Sequence, residues 1–385
     1  MSQDSSHLAI DVQIDARTGW GVYGLNLALQ TVAEGIQPIL MRPPEWSTLH
    51  PLQGAFLMAG QAARPAGKLG CPVVANLTNH LEGTERFGQD NSAHNVAIAV
   101  FENTAINPAG LEKAKSVRTW ITGSNFNAAI LRHHGIPNPH VILQGVDTSL
   151  FFPGPRGELW SNCFMIFSGG KLEYRKGQDL VIAAVRAFRQ RHPETVLVFA
   201  WHNAWPLTMT ELPAGGLIDD LPPVHSDGRI DFAPWLRRHQ IDLFLDLGSP
   251  LNWLMPAILR DMDAAIFPSR AEGATNFAAM ECMACGIPTI LSANTGHLDL
   301  LKGDAEKFCY PLRSQKPVHP TGFFPDVDGW GESSVDEIVE NLEKIYQGRQ
   351  ESRRRGAAGV QAMQNIRWEV QVPEILRAIG IATNT

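Results

Sequence analysis

The sequence predicts an α/β protein built from two doubly wound, Rossmann-like domains. Short apolar runs alternate with stretches of helical spacing along the whole chain. The series starts twice, once at LAIDVQI and again at NCFMIFSGG. The runs are apolar throughout instead of alternating with polar residues, the mark of parallel strands covered on both faces. At 385 residues the chain also exceeds the size at which one hydrophobic core stops growing.

In the first half, LAIDVQI leads into the glycine-rich turn TGWGVYG and the helical stretch LNLALQTVAEG, which glycine closes. IQPILM, CPVVANL, NVAIAVF, VRTWITGS and HVILQG follow as further strands. The Pro/Gly-rich segment FFPGPRGELW (151–160) is the joint, giving a first domain over 1–153. The second half repeats the plan over 154–365. Its strands are NCFMIFSGG, TVLVFAW, DLFLDLGS, DAAIFPS and PTILSA, with the helix DLVIAAVRAFRQRHP after the first. In open parallel sheets ligands bind beyond the carboxyl ends of the strands, so chemistry is sought just after each apolar run.

Composition narrows the function. Charged residues are 18% and hydrophobic ones 44%, which excludes a disordered chain. A net charge of −7 disfavours a broad grip on nucleic-acid phosphates. No apolar run approaches the roughly 20 residues that span a bilayer, and MSQDSSHLAIDVQI lacks the basic start of a secretory signal. Five scattered cysteines fit a reducing compartment, so a cytoplasmic protein is expected. Cys282 and Cys285 have metal-like spacing but no second ligand pair, and they read as small buried helix residues; no metal site is expected. The run ESRRRG (351–356) reads as a solvated helix face, with peripheral contact to anionic lipid as the alternative.

Two segments carry the chemistry. In FSGGKLEYRKGQDL (167–180), a strand runs into Gly169 and Gly170, then Lys171, Arg175 and Lys176 precede a helix. Glycines admit a ligand close to the backbone, and cations at a helix start suit a diphosphate. The segment matches neither a Walker A loop nor a dinucleotide fingerprint, and its bland reading is an exposed turn. The second segment is DAAIFPSRAEGATNFAAMECMACGIPTILSANTGH (263–297). A strand ends at Pro268, a polar loop carries Glu272, and a helix carrying Glu281 closes at Gly286. Gly273 and its small neighbours would let backbone N–H groups face an anion. Glu272 and Glu281 suit hydrogen bonds from sugar hydroxyls. Glu272 alone could be a helix-start acid, but Glu281 between Met280 and Met283 is costly to bury without a ligand.

Both segments resemble those of the family-4 retaining glycosyltransferases, which have the GT-B fold. GGKLEYRKG and AEGATNFAAMECMACGIP are similar to the family's phosphate-binding turn and its Glu-rich loop and helix. GSNFNAAILRHHGI, ILQGVDTSLFFP, TGWGVYGLNLAL and RWEVQVPEIL resemble other family segments, so the likeness spans nearly the whole chain. The last implies that 366–385 form a closing helix that crosses back to the first domain. The resemblance implies transfer of a sugar, with retention, from a nucleotide-diphosphate sugar, UDP- or GDP-linked, to a sugar-containing acceptor (lipid-linked, polysaccharide or small molecule). No other cofactor and no metal is implied. Lys171 takes the place of the usual Arg on the diphosphate and Lys176 that of the Lys. Glu272 would hold the sugar, Glu281 the ribose, and the backbone amides of Thr275, Asn276 and Phe277 would face the sugar or phosphates.

Two departures stand out. Eight residues separate Glu272 from Glu281 where the family has seven, a difference that the loop before the helix can absorb. At the end of the strand in NVAIAVFENT, where many relatives place a His, stands Glu102, which could orient or deprotonate an acceptor hydroxyl. His80 is its rival, although a lone His is more often structural. Gly19, Gly21 and Gly24 would line the cleft, with Trp20 or Tyr23 as a sugar-stacking platform. WHNAWP (201–206) reads as aromatic packing. The competing functions are a nucleotide-sugar epimerase and a non-catalytic sugar-nucleotide-binding relative.

Overall fold

A computed structural model of the chain describes residues 6–83, 94–157 and 160–383. The first sheet holds β1 (His7–Asp11), β2 (Gln37–Leu40), β3 (Val73–Leu77), β4 (Asn95–Ala99), β5 (Thr119–Thr122) and β6 (His140–Val141). Helices α1 (Gly19–Ala33), α2 (Pro51–Gly60), α3 (Pro108–Ala114) and α4 (Asn125–His133) connect them. The second sheet holds β7 (Phe164–Gly169), β8 (Thr195–Ala200), β9 (Phe244–Asp246), β10 (Ala264–Phe267), β11 (Thr289–Ser292) and β12 (Tyr310–Leu312). Among them run α5 (Gln178–Arg189), α6 (Phe232–Arg238), α7 (Met255–Leu259) and α8 (Phe277–Ala284). A small hairpin of β13 (Gln315–Lys316) and β14 (Glu332–Ser333) precedes α9 (Val335–Gln347), α10 (Arg349–Met363) and α11 (Trp368–Ala378).

The strand orders are β2-β1-β3-β4-β5-β6 and β12-β11-β10-β7-β8-β9. Every pairing within these two sheets is parallel, as the doubly apolar strands predict. Alternate residues feed opposite faces. In the second sheet Phe164, Ile166, Leu197 and Phe199 meet α5 and α9, while Met165, Phe167, Val196 and Val198 meet α7 and α8. The order reverses between β1 and β3 in one sheet and between β7 and β10 in the other. Those two reversals are the places where such sheets open a ligand crevice.

The sheets face each other through a tight interface. Ser124 donates its hydroxyl to the Gly273 carbonyl at 2.6 Å, and the Asn252 amide donates to the Ala16 carbonyl at 2.7 Å. Thr104 Oγ1 donates to Asp326 at 2.7 Å, and Trp330 Nε1 to the Glu102 carbonyl at 3.1 Å. A Cβ on Gly123 would come within 2.7 Å of Ala274, so only glycine allows that approach.

The end of the chain packs on its beginning. Trp368, Val372, Ile375 and Leu376 of α11 are buried in the cluster that holds Leu8, Ile10, Tyr23 and Leu27. Trp368 meets Tyr23 edge-on, with centroids 5.1 Å apart. The strand-like bridge Val146–Arg367 leads into α11. The 351–356 run lies on α10, where Glu351 pairs with Arg354 and Arg355. Among the described residues no helix is long and apolar enough to cross a membrane. Trp368→Ala should destabilise the first domain by about 3–5 kcal/mol, the loss typical of a buried Trp truncation. Denaturant unfolding measures this, and a change below 1 kcal/mol would show that α11 does not complete that core.

Candidate functional site

The two loops singled out in the sequence leave neighbouring strands. β7 and β10 pair directly at the reversal point, so the turn after Gly169 and the loop after Phe267 emerge side by side. Gly170 takes φ +112°, a backbone setting that side-chain-bearing residues rarely adopt, and a Cβ there would sit 3.5 Å from the Lys176 side chain. Gln178, at the start of α5, donates Nε2 to the carbonyls of Gly170 (3.3 Å) and Lys171 (2.7 Å). Its Oε1 accepts from the Glu173 amide at 3.3 Å. One buried side chain thus pins the whole turn.

What the loops bring together is a cluster of three acids and three bases. Lys176 Nζ lies 2.8 Å from both oxygens of Glu272. Arg175 Nη1 is 3.3 Å from Glu272 and 3.3 Å from Glu102, which arrives from the end of β4 in the first domain. Arg175 Nε also contacts Glu173 at 2.5 Å, and Lys171 Nζ is 3.3 Å from the same carboxylate. Burial alone would raise the Glu272 carboxyl, but Lys176, Arg175 and His297 outweigh it and hold it at about 2. Burial likewise acts to raise Glu173, and Arg175 and the two lysines bring it below the usual range. Burial, with Arg175 as a like charge, pulls Lys176 below an ordinary lysine, and the Glu272 charge opposes this. Lys171 stands at the rim, its ammonium 5.2 Å above the Trp205 ring.

Glu272 is gripped from behind. Ser269 donates its hydroxyl to Oε1 at 2.7 Å, and the Asn276 amide donates to the same oxygen at 3.0 Å. The Glu272 backbone N–H donates to Thr295 Oγ1 at 2.8 Å, and its carbonyl accepts from Gly296 N at 2.9 Å. The loop reaches α8 through Asn276, at φ +66°, whose side chain caps the helix. Gly273 touches the first domain instead of open space, since a Cβ there would lie 2.5 Å from the Phe101 carbonyl. Thr275 is buried, its hydroxyl 3.2 Å from Gln144 Oε1. Phe277 packs against Trp368, with centroids 5.9 Å apart.

Glu281 sits one turn along α8, buried, and accepts from Asn252 Nδ2 at 2.6 Å. Burial raises its carboxyl to about 8, with Asp147 adding to the rise and Asn252 opposing it. Asn252 belongs to the loop after β9, which also crosses to the first domain through Arg17 Nη1 and the Ser249 carbonyl at 3.2 Å. Arg175 stood in the sequence among the cations before the helix, whereas Gln178, Ser269, Asn252 and Thr295 were not singled out; Asn252 and Thr295 become visible only when loops distant in sequence meet.

In the first domain, Asn79 Oδ1 accepts from the amides of Glu102 (2.8 Å) and Asn103 (3.0 Å), tying the ends of β3 and β4 together. His80 follows at φ 56°, and its Nδ1 is buried without a partner among the described residues. Gly21 lies against the buried Asp15, where a Cβ would come within 2.2 Å of the carboxyl, and Gly24 against the Gln13 carbonyl. These glycines serve the packing of their own turn. Tyr23 cannot be a stacking platform: it is 1% exposed, wedged against Trp368. Trp20 remains half-buried beside it. WHNAWP divides, because Trp201 is fully buried and donates to Ser168 at 3.1 Å while Trp205 is 58% exposed. Cys282, in α8, and Cys285, which caps its C-terminal end, are buried free thiols.

The architecture is shared with solved structures. Sucrose-phosphate synthase from Thermosynechococcus elongatus superposes with a TM-score of 0.64 at 14% identity, covering 97% of this chain and 98% of that one. A glycosyltransferase from Rickettsia africae gives 0.61 at 12%, covering 98% and 99%. HepE from Anabaena, solved in complex with UDP and glucose, gives 0.63 at 14%, covering 97% and 99%. No protein-family model matches the sequence, and the search of curated proteins found no match. At these identities the likeness is one of fold, and the fold is GT-B.

Glu281 makes a pH prediction. The folded chain keeps this carboxyl protonated up to about 8, whereas an unfolded glutamate titrates near 4.5, so stability falls as pH rises through that window. Burial holds His297 at about 4 against 6.5, with Lys176 adding to the fall and Glu272 opposing it; this acts in the opposite sense, but only below 6.5. Between pH 6.5 and 8, Glu281 should therefore remove about 2 kcal/mol of stability. Denaturant unfolding at the two pH values should show this loss in the wild type and not in Glu281→Gln; equal losses would contradict the assignment.

Proposed function

We propose that the chain is a retaining glycosyltransferase that moves a sugar from a nucleotide-diphosphate sugar to an acceptor hydroxyl without a metal ion. The observation that carries this reading is the buried Lys176–Glu272 pair beside Gly170, set where β7 and β10 part in a GT-B fold. The solved complex of HepE with UDP and glucose supports a uridine nucleotide as donor, with a guanosine nucleotide as the alternative.

In this reading the donor diphosphate lies against Gly170 and the start of α5, where Lys176 and Lys171 meet its charge. Drawn to the phosphates, Lys176 leaves Glu272, whose freed lone pairs accept hydroxyls of the transferred sugar. Glu281 accepts from the ribose beside the hydrogen bond that Asn252 already gives it. As the glycosidic bond breaks, negative charge grows on the leaving diphosphate, and prepositioned cations stabilise it. The acceptor hydroxyl attacks from the same face and passes its proton to the departing diphosphate oxygen, which retains the anomeric configuration. Glu102 stands across the cleft on Arg175 and orients that hydroxyl. The closed interface keeps water from the donor. The acceptor is a sugar-containing molecule, lipid-linked, polymeric or small, and the free thiols suit the cytoplasm.

A thermal-shift screen with UDP, GDP, ADP and their sugar conjugates, without metal, should identify one stabilising nucleotide. A wild type that no nucleotide stabilises, with or without magnesium, overturns the donor-site reading. In folded Lys176→Ala, turnover should fall about 100-fold or more, as when one oxyanion donor is lost. Near-normal turnover would remove Lys176 from the chemistry, and conversion of the nucleotide sugar without acceptor would indicate an epimerase instead.

A further inference from the structure

Behind Glu272 lies a buried histidine that, among the described residues, hydrogen-bonds no carboxylate. His297 is fully buried, with Nδ1 2.9 Å from Ser292 Oγ and Nε2 3.3 Å from Asn276 Nδ2. Asn276 Nδ2 also faces Glu272 Oε1 at 3.0 Å, while Asn276 Oδ1 accepts from the Ala279 amide at 3.4 Å. An amide oxygen turned toward an ionised carboxylate would be repelled, so the NH2 group faces Glu272. Its second hydrogen then points at His297 Nε2, which must carry a lone pair. The single N–H of a neutral imidazole is left on Nδ1, where it donates to Ser292. Burial keeps the ring neutral, at about 4, with Lys176 adding to the effect and Glu272 opposing it. The imidazole hydrogen and both amide hydrogens along His297–Asn276–Glu272 are thereby assigned.

We propose that His297 is a positioning residue: through Asn276 it holds the Glu272 carboxylate in the orientation that receives the transferred sugar, and so sets sugar recognition separately from nucleotide binding. This rests on the donor-site reading above. Once Lys176 turns to the diphosphate, Ser269 and Asn276 fill the two lone pairs of Glu272 Oε1 and fix the carboxylate plane, and so decide where Oε2, which Lys176 has left, points. Asn276 is held at one end by the helix it caps and at the other by His297. Without an acceptor at Nε2, its amide is free to turn and the carboxylate with it.

The test compares His297→Leu, His297→Gln and His297→Asn. His297→Leu should leave the affinity for the free nucleoside diphosphate found in the screen within about twofold of wild type and lower kcat about 10- to 100-fold, the range for losing a supporting hydrogen-bond partner. The extra affinity that the sugar confers should vanish. Gln places an acceptor where Nε2 stood and should restore most of kcat, with the wild-type pH profile because the ring does not titrate in the working range. Asn keeps a group only at the Nδ1 place and should not restore it. Equal loss of nucleoside-diphosphate and nucleotide-sugar binding, or a Gln variant as impaired as Leu, overturns the proposal. Nitrogen NMR of the ligand-free wild type gives a readout independent of any donor. The neutral Nδ1–H tautomer is expected, and the Nε2–H tautomer overturns the relay. If no nucleotide binds the wild type, the donor-site reading falls, and the tautomer still decides the relay.

Discussion

The Glu272 carboxylate is ionised and out of water, and most of the site's construction answers that condition. Moving a lone carboxylate into a protein interior costs several kcal/mol, so it survives there only with close counter-charges and filled lone pairs. Lys176 and Arg175 supply the charge, Ser269 and Asn276 the hydrogen bonds. Those cations are themselves buried and need further acids, which explains Glu173 and Glu102. The cluster is electrically balanced as it stands. An arriving diphosphate therefore does not enter a bare positive pocket; it competes with carboxylates for lysine and arginine.

That competition gives the interface between the domains its importance. Glu102 is the first domain's contribution to the charge balance, and its backbone carbonyl is held by Trp330 of the second. Gly123, Ser124 and Gly273 bring the two loop layers to backbone contact. Charge pairing inside the second domain and closure against the first are thus one problem solved together. A shift in domain spacing changes what Arg175 has to neutralise.

The strands and their parallel order were legible because each core strand is an unbroken apolar run, and the second domain's site was legible because glycines, lysines and glutamates crowd at two strand ends. Lys176 and Glu272 could be named from local pattern alone. Their pairing with each other, and that of Glu272 with Arg175 and Thr295, could not, since those contacts join residues 23 to 97 positions apart and leave no periodicity behind. Tyr23 was misjudged for the same reason. On its own turn it looks like an aromatic at a cleft, and only α11, some 345 residues later, buries it. His297 stood within a recognised segment, yet nothing beside it in sequence marks a histidine whose partners are a serine and an amide.

The packing of α11 also bears on the order in which the chain is made. Synthesis runs from the first residue, and the first sheet emerges early, but Trp368, Val372 and Ile375 belong to its core. The second domain's two clusters draw on the continuous stretch 146–366, all of it made before α11. The first domain waits, with an apolar seat beside Leu8, Tyr23 and Gly145 open until the last helix arrives. The domain that is translated first is the one completed last.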